Sequence, residues 1–154
     1  MKNIRLAHDK DLKNIEKLLD EAFGPGRYAR TAYRYRENHN LISEYSYIYQ
    51  DNKQLLASIS FSQIFINNKS EGLLLGPLAV KPGHVGKGYG VALVETTIKL
   101  IKKSKKYGFI VLVGDIDYYR RFNFKQISQP LNFVGPVNPC LLYTSDAADE
   151  GLGV

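Results

Sequence analysis

A chain of 154 residues with 44% apolar, 12% aromatic and 23% charged side chains is the size of one domain, and its make-up is globular rather than disordered. Its 21 Lys and Arg against 15 Asp and Glu give a charge of +6, which suits an anionic partner or plain solubility. No apolar run approaches the roughly 20 residues of a membrane span, the N-terminal residues hold no apolar signal core, and a single cysteine excludes a disulfide framework and a cysteine-built zinc cage, so the cytoplasm is the expected compartment.

Residues 3–7 alternate apolar and polar, as a short half-buried strand does. Asp9 is placed to cap a helix whose apolar side is Leu12, Ile15, Leu18, Leu19, Ala22 and Phe23, and Gly24-Pro25-Gly26 stops it. A second, polar-aromatic helix is expected over residues 28–37. Strands are expected over 41–50 and 55–67, joined by a hairpin turn at Asp51-Asn52-Lys53. A third strand, 71–80, is nearly all apolar and is expected to be buried on both faces. Gly76-Pro77 interrupts it. Proline cannot donate to a ladder and marks an edge or a bulge, and a bulge leaves backbone N–H groups open to a ligand.

A Gly-rich loop follows, then a long amphipathic helix to about Lys106, ended by Gly108. Val91, Val94, Ile98 and Ile101 share one of its faces, while Lys99, Lys102, Lys103, Lys105 and Lys106 read as a solvated one. Residues 109–113 form a buried strand and 117–122 a short helix. Asn123 takes the left-handed cap that Asn tolerates, and a last strand starts at 124–128. The order β-α-α-β-β-β-α-β-α-β implies an α/β fold: a mixed, mostly antiparallel sheet flanked by helices on both faces.

The segment Cys140-Leu141-Leu142-Tyr143-Thr144-Ser145-Asp146-Ala147-Ala148-Asp149-Glu150 reads as a translated transposase sequencing adapter, continued through Val154. On that reading residues 1–139 are the domain proper, incomplete at its C-terminus, and 140–154 are a non-native tail to be set aside. The cysteine then drops out of the chemistry. Without Asp146, Asp149 and Glu150, residues 1–139 hold 21 basic against 12 acidic side chains, a charge of +9.

Strand, Gly-rich loop and helix together make a phosphate-binding arrangement, because the first N–H groups of a helix have no internal partner and the helix dipole adds positive charge. Three such loops compete. A P-loop needs Gly-x-x-x-x-Gly-Lys-Ser/Thr, and Gly83-His84-Val85-Gly86-Lys87-Gly88 lacks both the spacing and the hydroxyl. A dinucleotide loop needs Gly-x-Gly-x-x-Gly opening a βαβ unit; here the third Gly comes one residue early, and the preceding strand closes an antiparallel meander. The third is the acetyl-coenzyme A loop.

The block Leu78-Ala79-Val80-Lys81-Pro82-Gly83-His84-Val85-Gly86-Lys87-Gly88-Tyr89-Gly90 resembles motif A of the GNAT superfamily of N-acetyltransferases, with Val85 where Gln or Arg is usual. Tyr119-Arg120-Arg121-Phe122-Asn123-Phe124 resembles the family's Tyr-x-x-x-Gly-Phe signature, with Asn123 in place of Gly. The resemblance covers about residues 3–139 and points to a bacterial branch of predicted acetyltransferases. It implies that the backbone of Leu78, Ala79 and Val80 meets the pantetheine arm of acetyl-CoA like an added strand. It implies that Val85, Gly86, Lys87, Gly88, Tyr89 and Gly90 wrap the pyrophosphate. Tyr119 would be the general acid that protonates the leaving thiolate, with Tyr118 its rival by one residue of register.

No base announces itself among Glu71, Asp115, Glu44 and His84, and no metal is called for. The acceptor is expected to be an amine on a small molecule or peptide, with no nucleic acid and no membrane involved and a homodimer left open. Two other readings stand beside this one. The first is a non-catalytic domain that binds acyl-CoA or a protein. The second is a basic nucleic-acid module, against which the lysine cluster lacks interleaved aromatics.

Overall fold

The computed structural model describes residues 3–24, 43–66, 70–113, 116–126 and 142–145. The helix expected over 28–37, with Tyr28, Tyr33 and Tyr35, lies outside them. The described elements are β1 (Ile4–Leu6), α1 (Leu12–Phe23), β2 (Tyr47–Asp51), β3 (Gln54–Ile66), β4 (Ser70–Val80), α2 (Tyr89–Ser104), β5 (Ile110–Val113), α3 (Ile116–Tyr119), β6 (Lys125–Gln126) and β7 (Leu142–Ser145). They build one mixed sheet in the order β1-β2-β3-β4-β5-β7-β6. Every neighbouring pair is antiparallel except β4–β5, which is parallel. No helix among the described residues is long and apolar enough to cross a membrane.

Helices cover both faces, as the element order implies. On one face Leu93, Val94, Ile98 and Ile101 of α2 pack with Ala57, Ile59, Phe61, Leu73, Leu75 and Ile110. On the other, Leu18 and Leu19 of α1 close over Ala79, flanked by Ile15, Ala22, Phe23 and Leu55. The two-residue period of the strand sorts the end of β4 between them: Ala79 belongs to the α1 side, Leu78 and Val80 to the α2 side. The β2–β3 hairpin turns through Asn52 and Lys53, both at positive φ (50° and 64°), the mirror-image turn that matches strand twist.

Three local expectations are corrected. Asp9 does not cap α1. Residues Asp9–Asp11 form a 3-10 turn and Asp11 is the N-cap. Asp11 is held in place because its carboxylate takes both Arg5 N–H groups (2.9 and 3.0 Å) and the His8 N–H (2.8 Å). The strand expected from residue 41 starts only at Tyr47. Ser43–Tyr45 form a 3-10 turn that places the Tyr45 ring edge-on to Phe61 and Tyr107, and burial of that ring outweighs strand propensity. α2 stops at Ser104, short of Gly108. There the Ser104 hydroxyl donates to the Ile101 carbonyl (2.6 Å) and accepts the Lys106 N–H (3.2 Å), while Lys105 takes the left-handed cap at φ 55°. Within the segment read as a tail, Leu142–Ser145 form a strand. Residues 142–145 pair antiparallel with both β5 and β6. Leu-Tyr-Thr-Ser carries enough strand propensity to fill a slot whose two sides both offer backbone groups.

Two substitutions test this packing. A Cβ on Gly72 would overlap the ring of fully buried Phe109, so Gly72→Ala is expected to cost about 2 kcal/mol in urea unfolding, as overpacking does. The Arg5 guanidinium, together with the His8 N–H, holds the Asp11 carboxyl down to about 2. A depressed carboxyl stabilises the fold above its unfolded pKa near 4 and loses that contribution as pH falls toward 2. Arg5 is one-third exposed, so Asp11→Asn is expected to cost about 1 kcal/mol at pH 7. That difference from the native chain should shrink as unfolding is repeated from pH 5 down to pH 3.

Candidate functional site

Strand β4 sets the site. It pairs with β3 over its length, but the register slips: Ile59 faces Leu78 and Phe61 faces Leu75, so Gly76 and Pro77 together oppose Ser60. This is the bulge expected at Gly76-Pro77. On its other side β4 pairs with β5 only at Leu73–Ile110 and Leu74–Val111. Among the described residues, 75–80 therefore have no ladder partner on the β5 side. Extended backbone with open N–H and C=O groups is what an incoming linear ligand can pair with.

The chain then leaves the sheet through a four-residue turn closed by the His84 N–H and the Lys81 carbonyl (2.9 Å). Gly86 and Gly88 both sit at φ 89°, where a Cβ is strained, and the space around each is open. Gly88 is the N-cap of α2; its carbonyl accepts the first helical bond, from the Ala92 N–H (3.0 Å). The N–H groups of Tyr89, Gly90 and Val91 thus open the helix with no intrahelical acceptor, beside the positive end of its dipole.

These parts line one cleft of about 610 Å3. Leu78, Ala79, Val80, Val85, Gly86, Gly88, Tyr89 and Gly90, all marked out by the sequence, share its wall. Lys87 is exposed in the same loop but is not part of that wall. Val85 is 74% exposed and adds apolar surface where a polar side chain is usual in the resembling motif. Tyr89 stacks against Tyr49, ring centres 4.6 Å apart, which fixes the mouth of the loop against β2.

The aromatic pair after β5 is split by its environment. Tyr118 lines the cleft. Its hydroxyl lies over Gly90, where a Cβ would stand 2.9 Å from it and 3.2 Å from Val80 Cγ2. Burial raises the Tyr118 phenol above its usual value, and the Arg121 guanidinium, 4.9 Å over its ring, opposes that shift. Both rings pack on Phe122 (5.8 Å for Tyr118, 6.3 Å for Tyr119) at the border of the main core; Tyr119 also stands edge-on to Phe124 at 5.9 Å and is not part of the cleft wall.

Sequence reasoning also passed over Ala22, Phe23, Val91 and Arg121, which complete the wall. Arg121 was within reach as the cation three residues after Tyr118. Phe23 and Ala22 reach the cleft from α1, a contact no local motif encodes. His84 lines the cleft with Nδ1 buried and without a hydrogen-bond partner. Among the other bases considered, Glu44 is exposed beside Lys106 (3.5 Å), while the Glu71 side chain and Asp115 lie outside the described set. No group of three metal-ligating side chains occurs among the described residues.

A model of the acetyltransferase (GNAT) family matches residues 12–124. Among solved structures, the GNAT family N-acetyltransferase YhbS of Escherichia coli in complex with CoA superimposes with a TM-score of 0.77 at 22% identity, over 95% of this chain and 81% of that one. A GNAT family acetyltransferase of Brucella melitensis in complex with acetyl-CoA gives 0.68 at 28% identity, over 95% and 97%. Naa50 of Arabidopsis thaliana, in complex with the bisubstrate analogue CoA-Ac-MVNAL, gives 0.63 at 17% identity, over 92% and 94%. No match was found among curated proteins.

The loop geometry has a direct consequence for stability. Because the space around Gly86 and Gly88 is open, Gly86→Ala and Gly88→Ala should each cost about 1 kcal/mol through left-handed backbone alone, with no steric clash. Urea unfolding of both variants checks this, and Gly→Asn at either site should recover part of the loss.

Proposed function

The chain belongs to the GNAT acetyltransferase family, and from that premise we propose that it is an acetyl-CoA-dependent N-acetyltransferase acting on an amine of a small molecule or peptide. One observation carries the reading: the open side of β4, the two left-handed glycines, the unpaired N-terminus of α2 and a half-buried tyrosine all meet in a single cleft.

The residues present fit the cofactor. Its amide-bearing pantetheine arm suits the backbone of residues 75–80, and its pyrophosphate suits the N–H groups opening α2. Lys87 adds a cation in the same loop. When bound, the cofactor supplies an acetyl group as an activated thioester. The chain does the rest by positioning and by holding protons. Strand β4 fixes the acyl end against the cleft wall, so that attack by a neutral amine becomes effectively unimolecular. The proton needed by the departing sulfur sits on a tyrosine hydroxyl. The sequence motif favours Tyr119 for that role, and the cleft wall favours Tyr118. We assign it to Tyr118, whose hydroxyl lies over Gly90 in the cleft wall and which burial keeps protonated at neutral pH.

Among the described residues, His84, with its unpartnered Nδ1, is the candidate base in the cleft wall. The cytoplasm suits this cofactor. A non-catalytic CoA-binding domain would have the same cleft, and turnover separates the two. Tyr118→Phe is expected to lower kcat about 100-fold with acetyl-CoA affinity unchanged, measured by thiol release against a panel of amines and by calorimetry. Tyr119→Phe in parallel decides between the pair: a larger kcat loss there returns the role to Tyr119. Acetyl-CoA binding with no turnover on any amine would support the non-catalytic domain.

A further inference from the structure

A second concavity, of about 790 Å3, lies along the side of α2 and against the 3-10 turn Arg120–Phe122. Its wall carries four cations, Lys99, Lys102, Lys103 and Arg121, and one acid, Glu95. None of the four cations has an acidic partner among the described residues. Lys99 faces both Lys102 and Lys103 at helical spacing, where like charges repel. A merely solvated helix face normally interleaves acids with its lysines, and this one leaves Glu95 alone against four.

A second observation is independent of charge. Thr96 Oγ1, in the wall of the same concavity, is buried and has no hydrogen-bond partner. The next residue shows what a helical threonine ordinarily does: Thr97 donates to the Leu93 carbonyl at 2.8 Å. An unmet hydroxyl in a wall that also carries four cations without an acidic partner, Arg121 among them over the Tyr118 ring, is a donor set without its acceptor.

The third observation is placement. Arg121 lines both clefts. Thr96 lies eight residues along α2 from Gly88, about 12 Å at the helical rise. The two concavities therefore meet at Arg121.

We propose that this second concavity binds a phosphate monoester next to the cofactor cleft, with Lys99, Lys103 and Arg121 supplying the charge and Thr96 Oγ1 a hydrogen bond. The proposal rests on the acetyl-CoA reading of the first cleft. A dianion with three acceptor oxygens answers both the clustered cations and the lone hydroxyl, which a single carboxylate would not. The phosphate has two sources with this chemistry: the 3′-phosphate of the same CoA, reaching past Arg121, or a separate phosphorylated small molecule bound at the same time.

Calorimetric titration of CoA and of 3′-dephospho-CoA into the native chain and into the exposed-lysine variant Lys99→Glu/Lys103→Glu tests it, with circular dichroism confirming the fold. Thermal unfolding at saturating CoA, with and without inorganic phosphate and adenosine 3′,5′-bisphosphate, forms the second arm. If the 3′-phosphate occupies the site, the native chain binds CoA about tenfold tighter than 3′-dephospho-CoA, and the ratio falls to near one in the variant while 3′-dephospho-CoA binds it as before. If a separate phosphate occupies it, the two CoA forms bind alike. Phosphate or the bisphosphate then raises the melting temperature of the CoA-saturated native chain and not of the variant. Equal binding of both CoA forms with no such rise overturns this inference and leaves the acetyl-CoA reading standing. Failure of both CoA forms to bind the folded chain overturns that reading and this inference together.

Discussion

Strand β4 is hydrogen-bonded along one side and, past Leu74, is open on the other among the described residues. Everything that gives the cleft its chemistry follows from that asymmetry. A fully paired β4 would spend its N–H and C=O groups within the sheet and offer none to a ligand. The bulge that sets Gly76 and Pro77 against Ser60 changes the course of the strand just where the parallel pairing with β5 stops. A proline at that point has no N–H to leave orphaned. The same strand is anchored from both faces, by Leu78 and Val80 against the α2 side and by Ala79 against α1. Its open edge is therefore a rigid platform, held in place from above and below.

The Gly-rich loop works only because of where β4 ends. The strand delivers the chain to the start of α2, and α2 is packed down by Leu93, Val94, Ile98 and Ile101. Its first N–H groups are thus aimed from a fixed scaffold. Binding chemistry on a rigid element costs little ordering on association, which is the physical advantage the proposed pyrophosphate site would have at this helix end. Tyr118 closes the arrangement from the opposite element, its hydroxyl packed over the bare Cα of Gly90. A side chain on residue 90 would displace that tyrosine. The third glycine of the loop therefore serves close approach, while the first two serve backbone shape.

Much of this was legible in the residues. The hydrophobic period gave α1 and α2, the apolar run gave β4, and proline chemistry gave its bulge. The spacing of Gly86, Gly88 and Gly90 gave the turn into α2, the first two at left-handed φ, and Asn123 sits at φ 69° as its side chain allows. What escaped reading depends on contacts between distant segments. Asp11 rather than Asp9 stands at the N-cap of the first helix, its carboxylate held by Arg5 on a strand rather than by the helix. Tyr45 turns away from strand geometry because Phe61 and Tyr107 offer it a buried site. Tyr118 and Tyr119 are neighbours on a helix of four residues, too short for any periodicity to say which faces the cleft. The pairing of residues 142–145 into the sheet is likewise a property of the gap between β5 and β6, invisible in a local reading of those four residues.

In the proposed function, the unpaired side of β4 and the N-terminus of α2 hold acetyl-CoA as one continuous backbone site. Amide hydrogen exchange, followed by mass spectrometry with and without saturating acetyl-CoA, tests it most directly. Exchange should slow at residues 75–80 and 86–91, with the β1–β2 pairing unchanged. Calorimetric binding of acetyl-CoA without protection at those two stretches, or no binding by the folded chain, would contradict it.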